Sequence, residues 1–191
     1  MSLCTAACYA DVATLVEPCL SCHGNNGVST EPDVPSIASY SEEYFSLSMD
    51  MYMKQERPCI ETEYRTGSRK GLKTDMCEIV KGLGEHDIEL MAAYFASQKF
   101  VPAPQTYDVE WAKTGEALHM AKCDECHSEA GRLPSDNAGI LGGQKMSYLR
   151  EQIRFVRDGK RFTSKKMKRR LDALGDAEIE ALVNYYGSIR Q

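Results

Sequence analysis

The chain has no apolar run near the ~18 residues a membrane-crossing helix needs, so none of its 191 residues suggests a span. It lacks the strict apolar–polar alternation of half-buried strands, which leaves helices as the building material. No G-x-G-x-x-G follows a strand-like run, so no dinucleotide-binding turn is expected. Cationic residues are not in excess: 23 Lys and Arg face 28 Asp and Glu, a net charge of −5. That balance argues against a nucleic-acid partner.

Histidine is scarce at 4 residues and cysteine plentiful at 8. Half of both populations fall in two copies of one signature, Cys19-Leu20-Ser21-Cys22-His23 and Cys123-Asp124-Glu125-Cys126-His127. CxxCH is the attachment site of c-type haem. Its two thiols bond covalently to the porphyrin and the adjacent imidazole is an axial iron ligand. Each haem would supply apolar area that a domain below about 100 residues lacks. Covalent attachment takes place outside the bacterial cytoplasm, so a periplasmic protein is expected. Met1-Ser2-Leu3-Cys4 has no charged or apolar export segment, so a signal peptide is expected to be absent from this chain.

The signatures stand 104 residues apart, from Cys19 to Cys123, and similarity continues beyond them. Met76-Cys77-Glu78-Ile79-Val80-Lys81-Gly82-Leu83 matches Met167-Lys168-Arg169-Arg170-Leu171-Asp172-Ala173-Leu174, and an amphipathic segment follows each. This is a tandem duplication. The first copy carries about 13 extra residues between His23 and Met76, placed within 50–72, where the sequence reads as loop. Helices are expected at 12–19, 42–53, 85–98, 110–122, 147–157 and 176–189, with Asp176 as an N-cap. The expected division is 1–99 with the insertion, a stiff linker at 100–106 (Phe100-Val101-Pro102-Ala103-Pro104 within it), and 107–191. Residues 1–104 carry 8 cationic and 15 anionic groups, and residues 105–191 carry 15 and 13, so the halves offer different docking surfaces.

His23 and His127 are the proximal ligands by motif. Met76 and Met167 occupy matching positions ahead of the closing helices and are the expected sixth ligands, read as lying in loops. A thioether favours ferrous iron and raises the potential. Met49, Met51 and Met53 read as core or interface, His86 as surface and His119 as a packing residue. The Pro35 carbonyl is the natural acceptor for the His23 ring N–H; in the second copy Gly139 takes that place, where a carbonyl can still accept. Cys4, Cys8, Cys59 and Cys77 remain. An even remainder suggests disulfides, Cys59 with Cys77 and Cys4 with Cys8; the competing reading is a soft-metal site such as copper.

On these motifs the chain resembles the tandem class I di-haem cytochromes c. Phe100-Val101-Pro102-Ala103-Pro104-Gln105, Thr114-Gly115-Glu116-Ala117-Leu118-His119, Cys126-His127-Ser128-Glu129-Ala130-Gly131 and Gly139-Ile140-Leu141-Gly142-Gly143-Gln144 are similar to the cytochrome subunit of flavocytochrome c sulfide dehydrogenase. The other similar family, the periplasmic c-four class, would have Gly at 128 and Pro near 139. The resemblance implies an all-α fold of two tandem class I domains and two covalent haems c on Cys19, Cys22, Cys123 and Cys126. It implies an electron-transfer subunit with no catalytic residues of its own, taking electrons from a sulfide-oxidising FAD subunit. A small soluble cytochrome c is the expected acceptor. The alternative is a freestanding shuttle to a terminal oxidase. The basic run Lys160–Arg170 is read either as a solvated rim or as a docking patch for an acidic acceptor.

Overall fold

A computed structural model describes residues 5–190, with side chains from residue 12 onward. The expected Cys4–Cys8 bridge lies outside the described residues. Helices α1 (Thr5–His23), α2 (Glu42–Met53), α3 (Met76–Val80) and α4 (Glu85–Ala96) form the first half. In the second half come α5 (Val109–Lys122), the short α6 (Ser128–Gly131), α7 (Met146–Arg157), α8 (Lys165–Asp172) and α9 (Asp176–Ser188). Against expectation, α1 runs through the whole first signature instead of stopping at Cys19, with Pro18 inside it. Met76 and Met167 lie in the short helices α3 and α8, not in loops. The polar sequences just ahead explain this: Asp75 and Ser164 cap α3 and α8 by accepting from the Glu78 and Met167 N–H groups, at 2.9 and 3.1 Å.

The insertion is not all loop. Two residue pairs, Thr62 with Thr74 and Glu63 with Lys73, form an antiparallel ladder of β1 (Thr62–Glu63) and β2 (Lys73–Thr74). A run this short carries no period-2 signal to be read.

The duplication is visible in the backbone. Ile37 N–H donates to the Gly27 carbonyl at 2.8 Å, and Leu141 N–H donates to Gly131 at 2.8 Å, again 104 residues on. Past the insertion the offset falls to 91. Gly84 N–H donates to Asp87, and Gly175 N–H to Glu178, each at 2.9 Å. The N-cap of α9 is therefore Gly175, and Asp176 is its first helical residue.

Two apolar clusters form the core. One gathers Val16, Phe45, Met49, Val80, Met91 and Phe95; the other Leu149, Val156, Leu171, Leu182, Val183 and Tyr186. The halves pack face to face. Arg57 donates to the Tyr148 hydroxyl and Arg161 to the Tyr44 hydroxyl, both at 3.2 Å. Arg57 and Arg161 are repeat mates, and so are Tyr44 and Tyr148, so the contact is exchanged between copies as across a two-fold axis. Ile140 joins the first cluster from the second half, and the Gln144 amide pairs with both backbone groups of Ser36, at 3.1 and 2.9 Å. The linker is fastened to both halves: Phe100 N–H donates to Ser39 Oγ and Ala103 N–H to the Gly143 carbonyl.

Candidate haem sites

In the first half, α1 ends on its own signature and delivers Cys19, Cys22 and His23 together. His23 is 8% exposed, and its Nδ1 donates to the Pro35 carbonyl at 2.8 Å. A carbonyl can only accept, so Nδ1 holds the proton and Nε2 keeps its lone pair for a metal. Burial pushes the imidazole down to about 4, which keeps it neutral. Burial likewise pushes the Cys19 thiol up to about 12.

These groups line a cavity of about 240 Å³. Two thioethers reach it, Met49 and Met76. The duplication separates them. Met76 has Met167 as its mate, whereas Met49 has Ile153, which cannot bind a metal. Cys59 and Cys77 are disulfide-bonded, with Cα atoms 5.6 Å apart. They cluster with the Asp75 carboxylate, but a bonded pair of sulfurs does not present the thiolates a soft metal takes.

The second site is put together differently. Cys123 caps the end of α5, so Cys123 and Cys126 lie in the turn beyond the helix. Cys126 is exposed. The Nδ1 of His127 is buried without a hydrogen-bond partner among the described residues, so the expected bond to the Gly139 carbonyl is not made. Tyr44 explains the glycine: a Cβ at 139 would sit 2.6 Å from its ring and hydroxyl. Burial holds the His127 imidazole below its ordinary value and therefore neutral. Met167 packs against the second core cluster. His119 is fully buried, its Nδ1 3.0 Å from the Tyr186 hydroxyl, which agrees with a packing role. Glu125, inside the second signature, is bound by Lys166 at 2.8 Å and Arg170 at 3.1 Å.

Haem c fits these surroundings. Two thiols, a neutral imidazole and two thioethers share one apolar cavity in the first half, and the second signature places an unsatisfied neutral imidazole next to two thiols. Arg57, 5% exposed, also lines the first cavity, and its Nε has no partner among the described residues. Sequence reading passed over it, although its mate Arg161 at the same offset was there to be found.

The comparisons agree with this chemistry. Residues 110–185 match the family model described as cytochrome c oxidase, cbb3-type, subunit III. A cytochrome c4 from Stutzerimonas stutzeri is 31% identical over 186 residues, 89% of this chain and 83% of that one. The crystal structure of reduced recombinant cytochrome c4 from Pseudomonas stutzeri has a TM-score of 0.74 at 28% identity, covering 96% of this chain and 98% of that one. Thiosulfate dehydrogenase (TsdBA) from Marichromatium purpuratum shares the fold, with a TM-score of 0.71 at 21% identity over 94% of this chain and 40% of that one. Fold and donor sets define a di-haem, electron-transferring c-type cytochrome built of tandem class I units. The chain belongs to the cytochrome c4 family.

Proposed function

We propose that this chain is a two-centre electron relay of the periplasm, with one haem in each of the units 1–99 and 107–191. Cys19 and Cys22 would hold the first haem covalently and Cys123 and Cys126 the second; His23 with Met76, and His127 with Met167, would be the iron ligands. When bound, haem c supplies a one-electron ferric–ferrous couple. The chain's own residues set its conditions. Pro35 fixes the His23 tautomer and strengthens its donation. The apolar walls exclude water, and the thioethers of Met76 and Met167 would favour ferrous iron and leave no open position for a substrate. A relay is the outcome, not a haem enzyme. The observation that carries the reading is the convergence of Cys19, Cys22, His23 and Met76 on one cavity.

The cytochrome c4 relatives favour a freestanding shuttle toward a terminal oxidase. The linker and the Ser128 and Gly139 positions favour the other reading, a subunit fed by a sulfide-oxidising FAD protein. Purification from the native source separates them. A haem protein free of flavin supports the shuttle; a stoichiometric FAD chain that reduces it on addition of sulfide supports the subunit. An iron in the purified protein that binds CO rapidly contradicts the relay in both forms.

A further inference from the structure

The Cys59–Cys77 disulfide has no equivalent in the second half. The repeat mates of its cysteines are Thr163 and Lys168. Its position is specific. Cys77 is buried and follows Met76 directly at the start of α3. Cys59 is exposed and two residues beyond Arg57, which is buried and lines the same cavity. One covalent bond thus ties together two segments that face the first site. α3 spans only Met76–Val80, too short to hold a terminal side chain by its own helical cooperativity. By contrast α8 spans Lys165–Asp172 and carries Met167 two residues deeper, with Lys166 and Arg170 anchored on Glu125. The second half secures its methionine through a longer helix and ion pairs. The first half has a longer, inserted approach and needs another fastening.

We propose that Cys59 and Cys77 are positioning residues for the first iron: their disulfide holds Met76 and Arg57 against the first cavity and so keeps that haem six-coordinate. This rests on the reading of Met76 as an axial ligand. The test compares the haem-loaded wild type with Cys59→Ser/Cys77→Ser. The readouts are the methionine-to-ferric-iron near-infrared band, CO binding to the reduced form, and stepwise redox titration. The variant is expected to lose half of the band, bind one CO per chain, and titrate with a lowered potential in the first-haem step while the second stays put. A folded variant with the full band, no CO binding and both potentials unchanged overturns the proposal and leaves the bridge a plain staple. If the variant does not fold, the wild type is reduced with a phosphine and the thiols of Cys59 and Cys77 are alkylated with iodoacetamide. Cys59 is the accessible sulfur for that reagent, and the same three readouts apply. The relay reading stands or falls separately, on two haems and two one-electron steps in untreated protein.

Discussion

The first half reverses direction after its histidine through Gly24, at φ 75°, where a Cβ would lie 2.1 Å from the Val28 carbonyl oxygen. At the matching position the second half has Ser128, whose N–H and hydroxyl are held by the Asp136 carboxylate. The reversal there moves on by one residue, to Glu129 at φ 51° and Ala130 at φ 63°. Left-handed backbone costs residues with a Cβ about 1–2 kcal/mol each; the second turn has two of them, Glu129 and Ala130, where the first has one, Asn26 at φ 53°. A second exchange follows the same logic. Pro35 presents its carbonyl to His23, whereas Gly139 yields its space to Tyr44 from the other half. Duplication supplied two equal sites. At Gly139 the second copy leaves room for the interface, where Tyr44 of the first half stands.

That contrast can be broken experimentally. The largest effect is expected from Cys19→Ser/Cys22→Ser, which removes one haem from the intact mass and melts the first half; Cys123→Ser/Cys126→Ser removes the other and leaves the His23 site formed. Next, loss of the Cys59–Cys77 bridge, closing a separation of 18 residues, destabilises the first half by about 3 kcal/mol. Calorimetry should show that shift in one transition only. Gly24→Ala is expected to cost about 2 kcal/mol, whereas the exposed Glu129→Gly gains about 1 kcal/mol by releasing strain. Opposite signs in the two melting curves sharpen the comparison; equal signs refute it. The smallest effect concerns docking. Lys166 and Arg170 are already engaged by Glu125, so Lys165→Glu is the cleaner probe of the basic face. It should slow reoxidation by an acidic acceptor severalfold at low salt and weaken the salt dependence.

Most of the helical frame was legible in the sequence because its amphipathic segments repeat. The bounds of α2 are readable in the sequence, and the 91-residue offset past the insertion pairs Met76 with Met167. What escaped lies where the two copies meet. Arg57 looks like a loop cation next to Pro58, and only packing against α7 buries it beside Tyr148 and Gln152. The crowding at Gly139 is hidden for a related reason: the residue that stands against it, Tyr44, is 95 positions away in the chain. The ladder of the insertion was invisible because each strand is two residues long. Local pattern reports on segments, whereas contacts between duplicated units depend on both copies at once.

The most direct test of the relay is a spectroscopically monitored redox titration of the purified protein, with the methionine–iron band followed in the ferric state. The account predicts two one-electron steps per chain, two covalent haems by mass, and a band intensity corresponding to two methionine-ligated irons. A single step, or a second iron without the methionine band that binds CO in the native protein, would contradict it.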